Sequence, residues 1–96
     1  MTNIMHDWTF ISIEVEWRSG GVLMTFLDAR STKRVIKAQD MLSLNMPRRN
    51  EWGASVSVFQ AKAPEPTSDG FWKMKVEMQS GDAIELVAKS IDMPSD

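Results

Sequence analysis

The sequence predicts a single all-β domain, a small antiparallel fold of six to seven strands. Apolar and polar residues alternate with a period of two along most of the chain. Glycine, proline and polar clusters recur between these stretches, as turns do between short strands. A length of 96 residues is enough for one domain, 1–96, and too short for two. We expect a meander-like sheet that curls into a barrel or folds into a small sandwich.

The first hairpin is predicted by two alternating segments. "FISIEVEW" alternates over a half-buried strand whose apolar face is Ile11, Ile13, Val15 and Trp17. "VLMTFL" follows "RSGG" and forms a second strand whose apolar face is Val22, Met24 and Phe26. A two-residue turn at Ser19-Gly20 would place Trp17 opposite Val22. A turn at Gly20-Gly21 would shift the pairing by two residues and keep the same faces together, so the sequence allows both.

The middle of the chain predicts three further strands, in "KRVIKAQ", "LSLNM" and "WGASVSVFQ". A helix over residues 32–42, capped by Thr32, is the alternative for the first of them. "APEPTSDG" is expected to be an exposed loop, because two prolines and a glycine do not fit inside a ladder.

The last hairpin allows a more specific prediction. "FWKMKVEM" and "DAIELVA" flank "QSG", and a three-residue loop with a left-handed Gly81 pairs Val76 with Ile84 and Met74 with Leu86. Two-residue loops would set apolar side chains against charged ones. We expect the four tryptophans to close the core, with the eight methionines as adaptable filler.

The composition excludes several kinds of chemistry. The absence of cysteine excludes disulfides, thiol catalysis and thiolate metal sites, and it fits a cytoplasmic location. One histidine and scattered carboxylates form no metal-ligand motif, so we expect no metal and no cofactor. A net charge of −2 gives no bulk attraction to nucleic acid. No apolar run reaches the roughly 18 residues of a membrane-spanning helix, and the start lacks a signal-peptide pattern.

Three stretches, "HDWTFISIEVEW", "PRRNEWGASVSV" and "EMQSGDAIEL", together resemble a family of small uncharacterised bacterial proteins. Its pattern opens on His-Asp, carries Pro-Arg-Arg followed by Trp-Gly-x-Ser-x-Ser, and closes on a Met-Gln-Ser-Gly-Asp hairpin. The resemblance covers most of the chain. The chain departs from the pattern at Ala54, where proline is common, and at Phe59, where asparagine is common. The family implies no known activity, so the resemblance supports the order of strands.

Two groups of residues are candidates for a site. Arg34 and Lys37, with Arg48, Arg49 and Trp52 of "MPRRNEWG", could bind an anionic ligand or stack single-stranded nucleic acid. His6, followed by Asp7, could act as a general base, although neighbours along a strand would point to opposite faces. The charges of the strands fit a solvent face, and Glu14 with Glu16 could instead form an acidic strip for a basic partner.

These observations favour a non-enzymatic binding module of a bacterial type. Its partner is predicted to be another protein, engaged through a strand edge or the arginine loop. The alternative is a nucleic-acid or anionic-ligand binder that uses Arg48 and Arg49, and the third hypothesis is a small enzyme that uses His6. An open sheet edge would also allow a homodimer.

Overall fold

A computed structural model describes residues 5–47 and 57–94 of the chain. Within these ranges the secondary structure is all strand and contains no helix: β1 Thr9–Glu16, β2 Gly21–Leu27, β3 Lys33–Asn45, β4 Val58–Ala61, β5 Glu65–Pro66, β6 Trp72–Met78 and β7 Ala83–Asp92. The seven strands form one antiparallel sheet in the order β1-β2-β3-β7-β6-β4, with β5 beside β6. The predicted all-β antiparallel fold is confirmed.

The sheet joins a three-stranded meander to the C-terminal hairpin through the β3–β7 ladder. It curls until its two edges touch at one bridge, Thr9 with Ser57. The Asp7 amide donates to the Val58 carbonyl at 3.0 Å, and the Val58 amide donates to the Trp8 carbonyl at 2.8 Å. We call this contact the seam. Across the described residues the sheet is not closed into a barrel, because only the seam connects its edges.

The helix considered for residues 32–42 is wrong, because this segment lies in β3. The strand runs for 13 residues and includes all of "KRVIKAQ" and the first four residues of "LSLNM". Asp40 has a left-handed φ of 53°, and a register shift between Met41 and Ser43 leaves Leu42 as a bulge. Pairing with β2 on one side and β7 on the other satisfies the backbone, and this outweighs the helical pattern of the segment.

The two hairpins differ in how well the sequence predicts them. In the C-terminal hairpin Val76 pairs with Ile84, Met74 pairs with Leu86, and Gly81 has a φ of 99°, so the prediction is confirmed. In the first hairpin Val15 pairs with Val22, so both two-residue turns are wrong. A four-residue loop, 17–20, replaces them, closed by the Gly20 amide donating to the Glu16 carbonyl at 2.8 Å.

The core is rich in methionine rather than tryptophan. All seven described methionines pack in or against it, and four are fully buried: Met5, Met24, Met74 and Met78. The prediction that tryptophans close the core is wrong for Trp17, which is 86% exposed in its loop, and for Trp72, which is 40% exposed. Trp8 packs against the core, and Trp52 lies outside the described residues.

The predicted loop "APEPTSDG" contains a short stretch of sheet. Glu65 and Pro66 form β5, which pairs with Lys73 and Trp72 of β6. Proline fits here because β5 lies at an edge, where its missing N–H does not interrupt a central ladder.

Candidate functional site

Of the predicted binding residues, Arg48, Arg49 and Trp52 lie outside the described residues. The role assigned to the arginine loop therefore stays a prediction. The structure does describe Arg34, Lys37 and His6, and it places them in three different environments.

Arg34 stabilises the turn between β2 and β3. Its Nε donates to Asp28 Oδ2 at 2.9 Å, and both side chains are largely buried. Asp28 Oδ1 accepts from the Thr32 and Arg30 amides, each at 2.9 Å. The Thr32 amide and then the Arg34 guanidinium hold the pKa of Asp28 below its ordinary value of 3.8. Arg34 thus has a structural partner, which weakens its case as a ligand-binding residue.

Lys37 lies among carboxylates. Glu14, Leu23 and Lys37 are successive register partners across β1, β2 and β3, so their side chains share the solvent face. They line a groove of about 530 Å³, which we call the acidic groove; its charged residues are Glu14, Glu16, Lys37 and Asp40. Three carboxylates against one ammonium make a poor site for phosphate, so this environment also weakens the anionic-ligand hypothesis.

His6 lies in a turn at the seam, where its ring contacts β4. Its Nδ1 is 2.7 Å from the Phe59 carbonyl, and because a carbonyl only accepts, Nδ1 carries the proton. Its Nε2 is 3.5 Å from Asp7 Oδ1, so the expectation that Asp7 points away is wrong. The cause is the left-handed φ of 67° at Asp7, which makes residues 5–7 a turn rather than a strand. Both side chains are more than half exposed, and the pair anchors the seam.

The three stretches that carry the family resemblance meet at this seam. Gln79, from the Met-Gln-Ser-Gly-Asp hairpin, donates through Nε2 to Asp7 Oδ1 at 3.1 Å. Its backbone amide donates to the Ser57 carbonyl at 3.0 Å. These contacts join the first stretch and the end of the middle stretch to the last hairpin. Among the described residues, these contacts join the two edges of the sheet.

A surface that sequence reasoning missed lies beside the first hairpin loop. We call it the Trp17 surface: a shallow depression of about 510 Å³ around Trp17, Met41, Leu42 and Phe71. Trp17 is 86% exposed and Leu42 is 59% exposed. Its charged border is formed by Arg18, Asp40 and Lys89. Large apolar side chains exposed together mark interaction surfaces more often than chance placement does.

The loop that carries Trp17 is well ordered by hydrogen bonds. The Ser19 amide donates to Glu16 Oε1 at 3.1 Å, and the Gly21 amide donates to Ser19 Oγ at 3.2 Å. The Met41 amide donates to the Gly20 carbonyl at 2.9 Å, which ties the loop to β3. The Trp17 backbone is therefore held in place while its indole remains in solvent. A tryptophan next to "RSGG", a turn sequence, was the one signal available in the sequence.

Residues 5–47 and 57–94 contain no helix that is long and apolar enough to cross a membrane. Residues 5–47 and 57–94 also contain no group of three side chains placed to hold a metal ion.

Comparison with known proteins adds support for the fold. No protein-family model matches the sequence. No curated protein matches it either. The crystal structure of an uncharacterized protein from Neisseria gonorrhoeae superposes with a TM-score of 0.72 at 13% sequence identity, covering 94% of this chain and 92% of that chain. At this identity the likeness establishes a shared all-β fold.

Proposed function

We propose that this protein is a non-enzymatic binding module that engages another protein through the Trp17 surface. One observation carries the proposal: a tryptophan that is 86% exposed stands on a hydrogen-bonded loop, beside exposed Leu42. Tryptophan is among the residues that most often dominate the energy of protein interfaces. An ordered loop also reduces the entropy lost on binding.

The composition of the Trp17 surface supports a protein as the partner. It combines apolar side chains with the charged Arg18, Asp40 and Lys89, and protein interfaces likewise combine apolar with polar surface. Phe71 is held at the surface because its amide donates to Thr67 Oγ1 at 3.1 Å. We further propose a cytoplasmic, bacterial setting: the absence of cysteine fits a reducing compartment, and the structural neighbour comes from the bacterium Neisseria gonorrhoeae.

The test compares Trp17→Ala with Phe59→Ala, which removes an exposed aromatic side chain at the seam. Proteins captured from native lysate by wild type are identified by mass spectrometry, purified, and titrated against wild type and both variants. We expect Trp17→Ala to raise Kd about thirtyfold, as the loss of a central aromatic anchor does. Phe59→Ala should change Kd less than about twofold.

Thermal unfolding of each variant is the control, because Trp17 lies outside the core and its removal should leave Tm unchanged. A purified complex whose Kd is equal for wild type and Trp17→Ala would contradict the proposal. A Trp17-dependent dimer in analytical ultracentrifugation would identify the partner as a second copy of this chain instead of a different protein.

A further inference from the structure

We propose that the partner presents a basic, apolar segment whose cationic side chains enter the acidic groove while its apolar side chains cover the Trp17 surface. This proposal rests on the proposed function and adds the chemistry of the partner.

The acidic groove combines apolar walls with an acidic rim. Leu23 shares the face of Glu14 and Lys37 and contributes apolar side-chain surface to the groove, whereas the side chains of Val15 and Ala38, also among the lining residues, lie on the opposite face of the sheet. The charged side chains around it are Glu14, Glu16, Asp40 and Lys37, and all four are exposed. The stem of a lysine or arginine can pack on apolar walls while its charged head reaches carboxylates. This combination suits a long cationic side chain better than a bare cation.

The single ammonium in the groove has an opposite charge of its own beside it. Lys37 is the register partner of Asp92 across the β3–β7 ladder, so the two side chains share a face. With Lys37 counted, the three carboxylates of the groove still leave its lining net negative. The field that an approaching segment meets along Glu14 and Glu16 stays negative.

The acidic groove and the Trp17 surface are neighbours that share two residues, Ser19 and Asp40. Because they meet at these two residues, one continuous segment can contact both. Arg18 and Lys89 border the Trp17 surface and not the groove. The surface is thus polarised: cations of the partner are favoured at the groove and disfavoured beside Arg18 and Lys89. This polarity predicts the orientation in which the segment lies.

The test uses two heptapeptides of matched apolar content, with leucine at odd positions and either arginine or glutamate at even positions. Each is titrated into ¹⁵N-labelled protein. We expect the arginine peptide to shift the amides of Gly21, Leu23 and Gln39 saturably, and the glutamate peptide to leave them unchanged. Glu14→Lys should raise Kd for the arginine peptide about tenfold, because it reverses one charge of the groove.

Glu65→Lys is the matched control, because Glu65 is exposed on β5 and lies outside the groove. It should change Kd less than about twofold, and added salt should weaken binding of the arginine peptide. Equal binding of both peptides, or equal Kd for Glu14→Lys and Glu65→Lys, would overturn the proposal.

The two proposals fail in distinguishable ways. If Trp17→Ala breaks the complex with the purified partner while Glu14→Lys leaves it intact, the Trp17 surface stands and the basic segment is wrong. If the arginine peptide binds at the groove but Trp17→Ala leaves the complex intact, the groove chemistry stands and the proposed use of Trp17 is wrong.

Discussion

Gly20 fixes the 17–20 loop against β3. Its φ is 74°, in the left-handed region that glycine tolerates. A Cβ built on it would lie 3.1 Å from Asp40 Cα and 3.1 Å from the Met41 nitrogen. Both of these are backbone atoms, so neither can rotate away. The loop that presents Trp17 therefore depends on a residue without a side chain.

Gly20→Ala should lower the free energy of unfolding by about 1–3 kcal/mol, through both the left-handed φ and the backbone contact. Gly70→Ala separates the two causes, because Gly70 has a φ of 88° and open space around its Cβ position. It should cost about 1 kcal/mol or less. Urea denaturation measures both. Equal losses would show that the close approach to β3 contributes nothing.

The exposure of Trp17 shows where reasoning from sequence stops at the residue scale. Alternation places Trp17 on the apolar face of β1, together with Val15. The strand instead ends at Glu16, whose carboxylate accepts from the Ser19 amide. The loop is tied to β3 because the Met41 amide donates to the Gly20 carbonyl. That last contact joins residues about twenty positions apart. No local pattern predicts it.

At the scale of elements, the β6–β7 hairpin is the part that the sequence predicted best. Its loop length and its apolar pattern constrain each other, since other loops would set charged side chains against apolar ones. The first hairpin lacks this constraint, because "RSGG" permits several loops. It has a four-residue loop, which differs from both of the predicted two-residue turns. β3 was ambiguous for a different reason: its bulge at Leu42 interrupts the alternation that marks a strand.

Two leucine substitutions test the assignment of the core. Leu86 of β7 is 1% exposed, and Leu42 in the β3 bulge is 59% exposed. Leu86→Ala should lower the free energy of unfolding by about 2–5 kcal/mol, because it leaves a cavity in the core. Leu42→Ala should cost less than about 0.5 kcal/mol. Chemical denaturation checks both values, and a small loss at Leu86 would contradict the packing described above.

At the scale of the whole molecule, long-range pairing creates the curled sheet and its surfaces. The β3–β7 ladder joins Lys37 to Asp92, and the seam joins Thr9 to Ser57. The Trp17 surface gathers residues from the first loop, β3, β7 and the segment before β6. Strand content could be predicted from the chain, but these juxtapositions could not, because loop closure between distant segments leaves no periodic signal in the sequence.

The seam should be the first part of the sheet to open. Within residues 5–47 and 57–94 it has one bridge, whereas the β3–β7 ladder has seven register pairs. We expect the amides of Asp7 and Val58 to exchange with deuterium faster than those of the β3–β7 ladder. Met5→Ala, which removes a fully buried side chain next to the seam, should speed exchange at the seam more than in the ladder. Uniform exchange across the sheet would contradict this order.

Oxidation of the fully buried methionines also reports how often the core of the protein opens to solvent. A thioether converted to the sulfoxide becomes polar and no longer fits an apolar interior. Peroxide reaches Met24, Met74 and Met78 only when the sheet opens, because each is at most 2% exposed. The rate at which these sulfurs oxidise therefore depends on how often the core is exposed to solvent. An opening during which peroxide oxidises one of these sulfurs leaves a polar sulfoxide that hinders the return to the native fold.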